Sequence, residues 1–232
     1  MSEQLITLFG CLALLATTIK AAGQSNTPAS KGEPTPAALA LVILYDGSGS
    51  MANKVPDLHG VPTPKYVLAN NAVVAITKKI EDYCRTKNTT VDAGLLYFTE
   101  ARIKVGIPLQ RFEAGPFREW ASGFHSPVGG TPLGVGIRQA RNMLAGSHAI
   151  KKHILIVTDG ESNQGESPQS VISRMKSQQD STSIYFVAFD VSARVFEPVK
   201  RQGATVVSAA NELELKTQID ALLGRKILLE AE

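Results

Sequence analysis

The 232-residue chain predicts a three-layer α/β domain built on a mostly parallel central sheet. Two uninterrupted apolar runs, at 38–45 (ALALVILY) and 153–158 (HILIVT), have the character of strands covered on both faces. Segments with helical apolar spacing alternate with such runs from residue 38 to the C-terminus, the pattern of parallel sheets flanked by helices. The composition is 44% hydrophobic and 19% charged, that of an ordinary globular chain rather than a disordered or fibrous one.

Each element follows from its own local signal. The run at 38–45 ends in Asp46. Segment 65–87 places Ala69, Val73, Ile76, Ile80 and Tyr83 on one helical face. Strands at 91–98 and 102–107 are joined only by Thr99, Glu100 and Ala101, which demands an antiparallel hairpin. A short helix is expected at 116–122. Another is expected at 132–144, with Thr131 as N-cap and Pro132 at its first position. The second buried run, 153–158, ends at Asp159. A helix at 168–179 opens after Ser167, a strand covers 183–189, a helix 193–202, and a short strand 205–208. A last helix, 211–223, carries Leu215, Ile219, Leu222 and Leu223 on one face. There is no internal repeat and no composition break after residue 37, so 38–232 is one domain.

The segment before it reads differently. Residues 5–19 form fifteen positions without a charge, short for a membrane span of about 20 residues. They fit the apolar region of an export signal, and Ala21, Ala22 and Gly23 suit a cut after residue 23. The flanking charge is reversed, with Glu3 before the run and Lys20 after it. A short N-terminal anchor or a buried helix is the alternative. Residues 24–37, rich in Ser, Thr, Pro, Gly and Ala, read as a flexible linker. The expectation is a signal over 1–23 and an extracytoplasmic chain, periplasmic or secreted, membrane-held only if the segment is retained.

Several chemistries are excluded. A net charge of +3 with no basic run gives no footprint for nucleic acid. Two cysteines, Cys11 and Cys84, rule out a disulfide scaffold and a cysteine-ligated zinc site. Cys84 sits four residues after Ile80 on the apolar face of its helix and reads as a buried small hydrophobe. The four histidines show no metal-binding spacing, and His59 and His125 read as surface residues. Asn88, Thr89 and Thr90 form a glycosylation sequon, which has meaning only in a eukaryotic chain.

Chemistry concentrates in three pieces. Asp46-Gly47-Ser48-Gly49-Ser50 directly follows the first strand, Gly129-Gly130-Thr131-Pro132 precedes a helix, and Thr158-Asp159-Gly160 closes another strand. Parallel strands share their C-terminal edge, so Asp46 and Asp159 project to one side and converge if their strands are neighbours. Alternate residues of an extended turn face one way, which aims Asp46, Ser48 and Ser50 at one point. Carboxylates with hydroxyls make an oxygen-only site suited to Mg2+ or Mn2+ rather than zinc or copper. With three to five protein groups bound, some through water, about six coordination positions leave at least one open.

The pieces DGSGSM, GGTP and TDG, in this order and on these elements, resemble the von Willebrand factor type A domain and its metal-ion-dependent adhesion site. The resemblance spans residues 38–223 and maps the family's metal-binding pattern onto Asp46, Ser48, Ser50, Thr131 and Asp159. It implies a Rossmann-like fold whose sheet carries one antiparallel edge strand, the place of the hairpin at Thr99. It also implies a binding module, not an enzyme, whose open metal position accepts an Asp or Glu carboxylate of a partner protein. Loops at 52–64, 122–128 and 161–167 would supply specificity. Some family members instead act in the cytoplasm as assembly factors with an AAA-type ATPase, a reading that export would exclude. A Mg2+-dependent hydrolase or phosphotransferase is the third reading. Haloacid dehalogenase-like phosphatases have a second Asp where this chain has Ser48, and neither a nucleophile elbow nor a phosphate-binding loop occurs.

Overall fold

The computed structural model describes residues 36–100 and 102–229. The expected export signal and all but the end of the expected linker lie outside the described residues. Ala37, assigned to that linker, is buried against the sheet, and the Ala38 N–H donates to the Thr90 carbonyl at 2.8 Å.

In chain order the elements are β1 (Leu39–Asp46), β2 (Lys54–Pro56), β3 (Pro62–Pro64), α1 (Lys65–Lys87), β4 (Val91–Thr99), β5 (Arg102–Arg111), α2 (Ala114–Gly123), α3 (Leu133–Leu144), β6 (Lys151–Thr158), α4 (Pro168–Ser177), β7 (Ser183–Phe189), α5 (Glu197–Arg201), β8 (Thr205–Ala209) and α6 (Glu212–Leu222). Six strands form one sheet in the order β5-β4-β1-β6-β7-β8. All its pairings are parallel except β4 with β5, the antiparallel edge.

β1 is buried along its entire length because it lies at the centre with helices over both faces. Its side chains alternate between two cores. Leu39, Leu41, Ile43 and Tyr45 pack with α1, α2 and α6, whereas Ala40, Val42 and Leu44 pack with α3, α4 and α5. Each fully buried Leu or Ile contributes about 2 kcal/mol through removal from water. This two-sided burial is why the run shows no polar alternation.

The chain leaves β1 for β4 and β5 on one side, then returns to β6, β7 and β8 on the other. Strand order therefore reverses between β1 and β6. The crevice beyond their C-terminal ends is the place where sheets of this class bind ligands. Register pairs Tyr45 with Val157, so the two strands end almost level.

Three local expectations are corrected. Segment 52–64 is not wholly loop, because β2 and β3 form an antiparallel ribbon. Its strands are three residues long and contain Pro56, Pro62 and Pro64, so the pattern carries no period-2 signal. Segment 193–202 is a 3-10 turn (Ala193–Phe196) followed by the short α5, with Pro198 at the start of the new helix. Thr131 does not cap α3. Pro132 takes the N-cap position without a side-chain bond, and the helix starts at Leu133. Thr131 is drawn away because its backbone is bonded to the loop after β6, as described next. The caps at Ser167 and Asn211 form as their residue types dictate, each accepting a backbone N–H three residues on.

Candidate functional site

The turn after β1 is set by packing beneath it. The Tyr45 hydroxyl contacts the Asn70 Oδ1 at 2.8 Å and the Tyr66 carbonyl at 3.0 Å, while Asn70 Nδ2 donates to the Phe124 carbonyl at 2.9 Å. The rings of Tyr45, Trp120 and Phe124 pack within 5.0–5.4 Å of one another. A Cβ at Gly47 would lie 2.5 Å from the Phe98 carbonyl and 2.8 Å from the Phe124 ring, so only glycine fits between them. The Gly47 and Gly49 N–H groups donate to Phe98 and Gly129, which holds the turn against β4 and against the loop leading to Thr131.

Four of the five predicted residues form one hydrogen-bonded chain. Asp46, fully buried, accepts the Ser48 N–H on Oδ1 at 2.8 Å. The Ser48 and Ser50 hydroxyls lie 3.1 Å apart, and Ser50 donates to Asp159 Oδ1 at 2.6 Å. The fifth residue, Thr131, is 3% exposed. Its N–H donates to Asn163 Oδ1 at 2.8 Å, and its carbonyl accepts the Ser162 hydroxyl and the Asn163 N–H, each at 3.2 Å. Its hydroxyl takes part in no hydrogen bond among the described residues and lies 4.0 Å from where a Cβ of Gly160 would be. A Cβ at Gly134 would collide with the Glu166 carbonyl at 2.0 Å, so that glycine also lets α3 seat against this loop.

Sequence reasoning missed three neighbours. Thr158 donates its hydroxyl to Asp46 Oδ2 at 2.5 Å. Lys65, first residue of α1 and 5% exposed, places Nζ 3.0 Å from Asp159 Oδ2 and 2.8 Å from Asp190 Oδ2. Asp190 follows β7 in a left-handed conformation, φ 53°, which Asp tolerates better than most residues. It had a readable signal, since it ends an apolar run as Asp46 and Asp159 do. Lys65 had none, for a lysine at a helix start is ordinarily a surface residue. His59 and His125 are exposed, as expected of surface residues.

Burial raises the Asp46 carboxyl to about 6, the bonds from Ser48 and Thr158 opposing this and the nearby Asp159 charge adding to it. For Lys65, burial pushes the ammonium down, but the two carboxylates outweigh it and the net shift is upward. Among the described residues, no three His, Cys, Asp or Glu side chains cluster to hold a metal. The donor set is instead two carboxylates and three hydroxyls, one of them unspent. That set fits a hard divalent cation.

The oxygen donors gather at the switch point of an open α/β sheet, where sheets of this class bind ligands. The von Willebrand factor type A domain model matches residues 40–203, and the chain belongs to that family. Among curated proteins, none matches the chain. Solved structures share the fold at low identity. The vWF domain of the type V pili tip protein Mfa5 from Porphyromonas gingivalis matches with TM-score 0.65 and 13% identity, covering 86% of this chain and 98% of that one. The PilB minor pilin from Streptococcus sanguinis matches with TM-score 0.65 and 14% identity over 83% of this chain and 61% of its own length, so the chain spans about three fifths of that pilin. Proximal thread matrix protein 1 from the mussel byssus, with a zinc-occupied MIDAS motif, matches with TM-score 0.61 and 16% identity, covering 81% and 48%. Among the described residues, no helix is long and apolar enough to cross a membrane.

Proposed function

We propose that the chain is a metal-dependent protein-binding module, not an enzyme. Asp46, Ser48, Ser50, Thr131 and Asp159 hold a divalent cation directly or through water. The observation that carries this is the continuous chain Asp46–Ser48–Ser50–Asp159 at the switch point, beside the unspent hydroxyl of buried Thr131. The bound metal supplies positive charge, and its open position takes an Asp or Glu carboxylate of a partner protein. Oxygen donors favour Mg2+ or Mn2+, although zinc occupies the motif in the mussel relative. The pilus and byssus relatives support an adhesion or assembly role outside the cytoplasm. Residues 1–23 then act as the export signal and the stretch before Ala37 as a linker to the binding domain.

Three experiments test this. A metal that binds only the folded state raises the melting temperature by mass action, so Mg2+ or Mn2+ should stabilise the chain. A pull-down with and without EDTA should then recover a partner only when metal is present. Partner capture that persists in EDTA would place the contact surface away from Asp46 and Asp159. Recovery of a cytoplasmic chain retaining Met1 would sink export and favour the ATPase-partner reading.

A further inference from the structure

The ends of β1, β6 and β7 bring three carboxylates, Asp46, Asp159 and Asp190, to one edge of the sheet. Asp159 is wholly buried in its side chain, and Asp190 is 43% exposed. Lys65 spans the last two from the other side, reaching across from α1 with a side chain only 6% exposed. A buried lysine held by two carboxylates is costly to place unless each charge is matched. Here Lys65 pairs with both Asp159 and Asp190, while Ser50 occupies the other oxygen of Asp159.

We infer that Lys65 is an internal counter-cation that sets how tightly the site binds its metal and what net charge the loaded site shows a ligand. The inference rests on the metal-binding reading above and deepens it. Asp46, Asp159, Asp190 and Lys65 together carry two net negative charges, which a divalent ion would cancel. Without Lys65 the loaded site would keep one negative charge facing an incoming carboxylate. Lys65 therefore weakens metal binding and leaves the loaded site more attractive to an incoming carboxylate. Lys65 at Oδ2 and Ser50 at Oδ1 together fix how the Asp159 carboxylate is turned. Asp190 opposes Lys65 from the solvent side and moderates its effect. Lys65 is thus a positioning and tuning residue, not a ligand.

The test is calorimetric titration of Mg2+ and Mn2+ into the full chain, comparing wild type with Lys65→Met, Lys65→Arg and Asp190→Asn. Removing a charge beside a divalent ion in a partly buried site should tighten binding by about 10-fold or more in Lys65→Met. Lys65→Arg keeps the charge and should stay within about 3-fold of wild type. Asp190→Asn removes an opposing charge and should weaken binding several-fold. If metal-free Lys65→Met unfolds, Mg2+ should refold it, and that result also supports the assignment. Weaker or unchanged binding in a folded Lys65→Met, or stronger binding in Asp190→Asn, overturns it while leaving the metal site intact. No binding by any of the four proteins overturns both this inference and the metal-binding reading.

Discussion

Asp46 and Asp159 terminate neighbouring strands, both are buried, and they are held in opposite ways. Among the described residues, Asp46 pairs with no cationic side chain. Its charge is met by hydrogen bonds from Ser48 and the Thr158 hydroxyl, and burial holds its carboxyl up to about 6. Asp159 has a lysine at 3.0 Å and a serine hydroxyl at 2.6 Å. One carboxylate is thus strained by its own ionisation and the other is already neutralised. The metal-free domain tolerates Asp159 easily and Asp46 poorly, so a cation bound at the proposed site would chiefly relieve Asp46.

The sharpest break of this comparison is a pair of isosteric substitutions measured by denaturant unfolding without metal. Asp159→Asn leaves Lys65 with only the half-exposed Asp190 and should destabilise the chain by about 3 kcal/mol, the low end for removing one partner of a buried pair. Asp46→Asn removes a charge that burial disfavours and should stabilise the metal-free chain by about 2 kcal/mol at pH 8. Equal destabilisation by both would erase the distinction.

A second test uses pH. The folded Asp46 takes up its proton near 6, whereas in the unfolded chain it does so near its ordinary value of 3.8. Between those values the folded state binds more protons, so metal-free stability falls as pH rises through that window. The gap between the two values makes the loss on the order of 3 kcal/mol. Metal binding, which needs the ionised carboxylate, should fade below pH 6. Urea midpoints from pH 4 to 8 check this, and the slope should vanish in Asp46→Asn.

Thr131→Ala sharpens the contrast between a ligand and a structural hydroxyl. Thr131 does not cap α3, so the usual cost of about 1 kcal/mol for a lost cap does not apply. Stability should fall by only about 1 kcal/mol, from the buried methyl that is lost, while affinity for Mg2+ and for a captured partner falls. A large stability loss with unchanged metal affinity would make Thr131 structural. The smallest effect is expected at Glu161, exposed in the loop after Asp159. Glu161→Ala should alter partner preference and leave metal affinity within about 2-fold, read by the same titration.

Much of this arrangement is visible in the chain because it is local. The buried strands show as unbroken apolar runs, the hairpin follows from a three-residue connection, and Asp46-Gly47-Ser48-Gly49-Ser50 is contiguous. Convergence of Asp46 with Asp159 required only that β1 and β6 be neighbours, as they are. What escaped depends on contacts distant in sequence. Lys65 and Asp159 are 94 positions apart, and Thr158 and Asp46 are 112 apart. The N-cap expectation at Thr131 failed because Asn163 and Ser162, some thirty residues later, claim its backbone. Proline hid the β2–β3 ribbon because it suppresses the pattern by which strands are recognised.

In the proposed site, the crevice between β1 and β6 binds a divalent cation through Asp46. Calorimetric titration of Mg2+ and Mn2+ at pH 8 into wild type and Asp46→Asn tests it most directly. Wild type should bind one ion per chain and the variant none, although the variant's metal-free fold should be the more stable of the two. Equal binding by both proteins, or loss of binding only where the fold is lost, would contradict it.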